Sequence, residues 1–182
     1  MEINMTPKAI SKLLSLILRH NPDKVQLPLD AHGWADVVTL LQQCKAHGFH
    51  FSRTELESMV AENDKQRFAF NEDKTRIRAS QGHSLSLNIS LDLPPAAPPE
   101  YLYHGTVGKF VQQIRSTGIQ KISRQHVHLS DDLGTAQKVG SRRGMPLILT
   151  IHSGQMHRDG WVFYLSANGV WLTDEVPPKY IQ

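Results

Sequence analysis

The chain has 182 residues, 40% hydrophobic and 20% charged, with a formal net charge of +3 and a single cysteine. That length accommodates one substantial core or two small ones. No apolar run approaches the ~18 residues a membrane-spanning helix needs, one cysteine excludes an intramolecular disulfide, and Met1-Glu2-Ile3-Asn4 has no basic-then-apolar secretory pattern, so an intracellular protein is expected. The charge is uneven: residues 1–95 carry 11 basic and 11 acidic side chains, whereas residues 96–143 carry 7 and 3. An anionic ligand is drawn to the second region.

In chain order, Thr6 is a cap and Pro7 a first helical residue, and Ile10, Leu13, Leu14, Ile17 and Leu18 recur at helical spacing as far as Arg19-His20. A second helix is predicted from about Asp36 to Ala46, stopped by Gly48, with Cys44 on its apolar side beside Val37, Leu40 and Leu41. A third opens at the capping box Ser52-Arg53-Thr54-Glu55. The period then changes to two. Phe68 and Phe70 alternate with Arg67, Asn71 to Lys74 is turn-like, and Arg76 and Arg78 alternate with Ile77. Three helices and a β-hairpin make a winged-helix lobe, residues 1–93.

Pro94-Pro95-Ala96-Ala97-Pro98-Pro99 is a stiff extended linker, and residues 94–100 are a natural domain boundary. Beyond it, residues 101–182 form a small α+β domain with short strands at Tyr101–Tyr103, His126–Leu129, Leu147–Ile151, Trp161–Leu165 and Val170–Thr173. The last two are joined by the hairpin signal Ala167-Asn168-Gly169. One helix is predicted from Lys109 to Thr117 with Gly118 as its stop, another from Asp131 to about Arg142 with Ser130 as its cap.

Two triplets stand out, His104-Gly105-Thr106 and, beginning 24 residues later, His128-Leu129-Ser130. Each places an imidazole and a hydroxyl at the end of a predicted strand. Gly105 admits a ligand close to the backbone, and Thr106 and Ser130 offer hydroxyls suited to a ribose or phosphate. Arg19 and His20 lie at a helix C-terminus, where cations are favoured regardless of function. Arg67 projects from its hairpin opposite Phe68 and Phe70, with Arg76 or Arg78 beside it, and clustered arginines repel unless an anion lies between them. Arg124 lies four residues before His128. His126, His128 and His104 lack a cysteine partner, a His-Glu-x-x-His helix or an acidic cluster, so no metal site is expected. Neither a Walker-type loop nor a Gly-x-Gly-x-x-Gly fingerprint is present.

Taken in order, Leu18-Arg19-His20-Asn21-Pro22, Gly33-Trp34-Ala35, Lys65-Gln66-Arg67-Phe68, Ile77-Arg78-Ala79 with Gln81-Gly82-His83-Ser84, Tyr103-His104-Gly105-Thr106, His126-Val127-His128-Leu129-Ser130, Val139-Gly140 and Asn168-Gly169-Val170-Trp171-Leu172-Thr173 resemble the RNA 2′-phosphotransferase family, collinearly over nearly the whole chain. The resemblance implies a cytoplasmic, NAD-dependent enzyme, a monomer with a winged-helix lobe and a C-terminal lobe similar to ADP-ribosyltransferases, with no metal. It implies removal of an internal RNA 2′-phosphate in two steps, through an ADP-ribosylated RNA phosphate. The products are repaired 2′-OH RNA, nicotinamide and ADP-ribose 1″,2″-cyclic phosphate. The family's essential set falls on Arg19, His20, Arg67 and Arg124, and its NAD-binding half on His104, Gly105, Thr106, His128 and Ser130. Gln81 and His83 fall on the RNA-phosphate side, and Arg142 and Arg143 are candidates for the pyrophosphate or RNA. No glutamate stands near Asn168-Gly169-Val170, which disfavours ADP-ribosylation of proteins.

Two rivals remain. A two-histidine RNA cyclic phosphodiesterase would use the paired His-x-Thr and His-x-Ser triplets, leaving Arg19, His20 and Arg67 unexplained. A non-catalytic regulator would bind nucleic acid through its winged helix, against which the zero net charge of residues 1–95 argues.

Overall fold

The computed structural model describes residues 5–182, so the expectation resting on Met1 to Asn4 lies outside the described residues. The chain is α+β and divides into two compact units, one ending at Asp92 and the other beginning at Leu93.

The first unit opens with α1 (Pro7–Arg19), whose cap Thr6 accepts a hydrogen bond from the Ala9 amide at 3.3 Å. Its stripe of Ile10, Leu13, Leu14, Ile17 and Leu18 is buried, and each such side chain contributes roughly 1.5–3 kcal/mol of hydrophobic stabilisation. β1 (Ala35–Asp36) leads into α2 (Val37–Ala46), where the Asp36 carboxylate accepts from the Thr39 amide at 2.7 Å. α3 (Arg53–Ala61) has the complete reciprocal capping box of Ser52 and Glu55. β2 (Phe68–Phe70) and β3 (Arg76–Ala79) form the hairpin, and β1 adds to β3 on its other side in an antiparallel sheet of order β1-β3-β2. The helical stripes meet Phe68 and Ile77 in one core. Cys44 lies within it, and burial pushes its thiol up to about 11.

The second unit begins with the proline-rich segment, which is stitched down rather than free. The Ala96 amide donates to the Phe163 carbonyl at 2.8 Å, and the Pro99 carbonyl accepts from the Ser153 hydroxyl at 2.7 Å. β4 (Leu102–Val107), α4 (Gly108–Thr117), β5 (Ile119–Gln120), β6 (Val127–Leu129) and α5 (Leu133–Gly140) follow. After a short 3₁₀ turn over Ser141–Arg143 come β7 (Pro146–Ile151), α6 (Ser153–Arg158), β8 (Tyr164–Leu165), β9 (Trp171–Thr173) and β10 (Glu175–Val176). β4 pairs with β7, β5 with β10, and β6, β9 and β8 form a sheet in that order, all antiparallel. Leu102, Leu129, Ile151, Met156 and Phe163 make the core.

Several expectations need correction. The strand predicted over Tyr101–Tyr103 extends to Val107, because every residue from Leu102 onward has a partner on β7. His104-Gly105-Thr106 therefore lies within a strand, not at its end. The helix expected from Asp131 to Arg142 spans only Leu133–Gly140 and is capped by Asp132, not Ser130; the Asp132 carboxylate accepts from the Thr135 amide at 2.6 Å. Trp161 to Phe163 lie outside any strand, since the Phe163 carbonyl is taken by Ala96 and only Tyr164 and Leu165 pair with β9. Among the described residues, no helix is long and apolar enough to cross a membrane.

Candidate active site

In the first unit the site is built where α1 ends. The last turn brings Arg19 to the Phe68 ring, guanidinium carbon 5.9 Å from its centroid, and leaves Arg19 only 9% exposed. A buried arginine on an aromatic face keeps its charge while shedding water. The next residue, His20, lies with Nδ1 2.8 Å from the Ser84 hydroxyl, and the Ser84 amide donates to the Arg19 carbonyl at 2.8 Å. One serine thus holds both the backbone and the imidazole at this helix terminus. Arg67 immediately precedes Phe68, and its carbonyl accepts from the Ser80 amide at 2.8 Å. Arg19, His20 and Arg67 therefore gather around the start of β2 and the segment that follows β3.

The other arginines of the hairpin turn away from this group. Arg76 pairs with Asp30 at 3.4 Å, and the Arg78 guanidinium lies 4.4 Å over Trp34. Neither serves as the neighbour to Arg67 that the alternation suggested. Gln81 is half-buried beside Gly82, which takes a positive φ of 89°. His83 is buried, with Nε2 3.1 Å from the point where a Cβ on Gly33 would stand. It fills the interior of the unit.

In the second unit the two triplets meet. Tyr103 and Ser130 exchange backbone hydrogen bonds at 2.7 and 2.9 Å, and His104 Nδ1 lies 3.3 Å from the His128 carbonyl. A carbonyl only accepts, so Nδ1 carries the proton and Nε2 is an acceptor in the neutral ring. Burial lowers the His104 pKa and the Arg143 guanidinium lowers it further, against the opposing effect of the His128 carbonyl. Arg124 is lowered from its usual value by burial and, again, by Arg143. His104, Arg124 and Arg143 thus share one electropositive environment. Arg142 is an exposed neighbour in the same 3₁₀ turn as Arg143.

Three details depart from the sequence reading. A Cβ on Gly105 would lie 1.9 Å from the Ala136 carbonyl oxygen, so the space there is occupied by α5 rather than left for a ligand. The Ser130 hydroxyl engages the Asp132 carbonyl at 2.9 Å and the Asp132 amide at 3.0 Å, within its own turn. Thr106 is buried. Ser84 and Phe68 carry the opposite lesson: both lay within quoted motifs, yet only the tertiary contacts single them out as supports for His20 and Arg19. Among the described residues, no three His, Cys, Asp or Glu side chains are grouped to hold a metal ion.

An α+β chain that gathers arginine and histidine in each of its units has the equipment of an enzyme acting on a phosphorylated substrate. The family model described as RNA 2'-phosphotransferase, Tpt1 / KptA family, matches residues 6–175. The chain is 61% identical over 175 residues to a probable RNA 2'-phosphotransferase of Flavobacterium johnsoniae, covering 96% of this chain and 95% of that protein. Proteins bearing the same description in Streptomyces griseus and Hahella chejuensis are 51% and 53% identical, each alignment covering at least 92% of both chains. The chain belongs to the RNA 2'-phosphotransferase family and is a transferase.

Proposed function

We propose that this protein removes an internal 2′-phosphate from RNA by transferring it to NAD. Family membership supports the reaction class, and one observation carries the assignment of residues. Arg19 and His20, at the end of α1, are packed by Phe68 and Ser84 against the segment that presents Arg67.

A phosphate dianion is already a nucleophile and needs no base; it must be held in line with its charge dispersed. In the first unit the guanidiniums of Arg19 and Arg67 serve that purpose, and Arg124, of the second unit, is the third arginine of the proposed catalytic set. His20 moves the proton when a hydroxyl attacks or the RNA oxygen departs, with the Ser84 hydroxyl fixing its ring. In this reading the first unit is a winged-helix lobe that handles RNA phosphate, with Gln81 and His83 behind it. Residues 94–100 are the linker, and residues 101–182 are an ADP-ribosyltransferase-like lobe.

The second unit fits a dinucleotide by its donor set. His104 is held neutral with an acceptor nitrogen suited to a sugar hydroxyl, and Arg124 and Arg143 raise the local potential that an anionic pyrophosphate relieves. His128 and Arg142 complete the proposed contacts, and Gly105, Thr106 and Ser130 act there by shaping the backbone: Gly105 seats α5 against β4 and the Ser130 hydroxyl holds its turn. NAD, when bound, supplies the ribose carbon that accepts the phosphate as nicotinamide leaves. The protein acts as a cytoplasmic monomer without a metal. Family membership does not favour a two-histidine phosphodiesterase or a non-catalytic regulator.

The test incubates the protein with a short RNA bearing one internal 2′-phosphate, with and without NAD, and analyses RNA and nucleotide by mass spectrometry. Phosphate loss only with NAD, together with ADP-ribose 1″,2″-cyclic phosphate, is expected, and Arg67→Ala abolishes turnover or accumulates ADP-ribosylated RNA. Phosphate loss without NAD overturns the proposal.

A further inference from the structure

We infer that Asn63 is a positioning residue for Arg67, an inference that rests on the catalytic role proposed above for that arginine. The observation is the path of the chain between α3 and β2. Gln66, directly before Arg67, has φ +41°, a conformation disfavoured for a residue with a Cβ, which persists only where the surroundings impose it.

Asn63 and Ser80 supply what imposes it. The Asn63 side-chain oxygen accepts from the Lys65 amide at 3.2 Å and the Arg67 amide at 3.5 Å, and its backbone carbonyl accepts from the Gln66 amide at 2.8 Å. Three successive amides therefore converge on one residue. From the other side, the Ser80 hydroxyl donates to the Gln66 carbonyl at 2.9 Å and the Ser80 amide to the Arg67 carbonyl. The Asn63 amide nitrogen donates to Ser11 on α1 at 3.4 Å, and α1 is the helix that ends in Arg19 and His20. Asn63 thus ties the loop presenting Arg67 to the element presenting the other two groups. It touches no reacting atom in this reading and acts by fixing the backbone from which the guanidinium extends.

Misplacing a catalytic group by about an ångström costs on the order of 100-fold in rate. Asn63→Ala, which removes all the side-chain bonds, is expected to lower kcat by roughly 10- to 100-fold with KM for the 2′-phosphorylated RNA within about twofold. Asn63→Asp keeps the oxygen that accepts from the loop amides and only exchanges the donor facing Ser11 for an acceptor, so it restores most of the rate. The decisive readout is the cycle with Arg67→Lys. In that background Asn63→Ala adds less than about a twofold loss, because its effect passes through the arginine already altered. A full additional loss there, or wild-type turnover by folded Asn63→Ala, overturns the inference. Should Asn63→Ala fail to fold, Asn63→Gln moves the amide one methylene too far for the turn; the same fall in kcat supports the assignment and unchanged turnover overturns it. Full activity in Arg67→Lys and Arg67→Ala would instead remove the role of Arg67, and this inference with it. A loss confined to the Arg67 variants sinks the role of Asn63 alone.

Discussion

His20 and Ser84, 64 residues apart in sequence, meet at 2.8 Å between imidazole Nδ1 and hydroxyl. Because the Ser84 amide also holds the Arg19 carbonyl, the imidazole is fixed relative to its own helix terminus. Ser84→Ala is predicted to lower kcat about 5- to 10-fold, the worth of one hydrogen bond of about 1 kcal/mol, while leaving KM for RNA unchanged. Ser84→Thr keeps the hydroxyl and recovers much of the loss. Steady-state kinetics on 2′-phosphorylated RNA decide it, and an unchanged kcat in the alanine variant would show that the contact does not orient the ring during turnover.

Gly105 and Gly108 are three residues apart and should respond to alanine with opposite sign. At Gly105 the new Cβ would stand 1.9 Å from the Ala136 carbonyl oxygen and 2.9 Å from the Gly140 amide nitrogen, so α5 must move off β4. Overpacking of this kind costs about 1–3 kcal/mol or more. At Gly108, the first residue of α4, nothing lies within 4 Å, and a less flexible unfolded chain gains about 0.4–1 kcal/mol. Urea midpoints of the two variants check both signs.

His104 is predicted to make the second unit acid-sensitive. Its pKa in the folded chain lies below the ordinary histidine value of 6.5, chiefly through burial. The group therefore contributes stability that is fully present above 6.5 and is lost as pH falls through the folded value. His126 is depressed in the same direction, again by burial first. Thermal melts from pH 7.5 to 5 should fall for the wild type, and His104→Gln with His126→Gln should flatten that fall. An equal pH slope in the double variant would assign the sensitivity elsewhere.

Ile122 is a β-branched residue at φ +54° and 83% exposed, in the turn closed by the Arg124 amide on the Lys121 carbonyl at 2.9 Å. Little apolar burial offsets the left-handed strain, so Ile122→Asn is predicted to stabilise the fold by about 1 kcal/mol. Differential scanning calorimetry measures the gain; a lower melting temperature would mean that the isoleucine side chain packs against the fold.

Local rules carried far in the first unit. The stripe of α1, the helix expected from about Asp36 and the Ser52–Glu55 capping box are encoded within a few residues each, and all appear where spacing puts them, with Asp36 itself serving as the cap of α2. They carried less far in the second unit, where strands are two to six residues long and their limits depend on partners. β4 extends through His104-Gly105-Thr106 only because β7 runs beside it. α6, at six residues, is too short to leave a periodic signature. The candidate site is read from the sequence only as residue types: Arg19, His20, Arg67 and His104 stand in motifs whose order resembles one family, and Arg124 lies just before another such motif. Their supports were not legible, since Phe68, Ser84, Asn63 and Ser80 announce nothing in sequence about what they hold.

By itself, then, the sequence determined which groups are available for chemistry and which segments become helices, because side-chain type and hydrophobic period are properties of short stretches of chain. Tertiary structure decided what those groups are tied to. Arg76 and Arg78 turn to Asp30 and Trp34, Gly105 makes room for a helix backbone instead of a ligand, and one serine locks the imidazole of His20. The physical reason is that hydrogen bonds and steric contacts act over a few ångströms while their partners lie tens of residues apart, so only the packed fold selects among arrangements that spacing leaves equivalent.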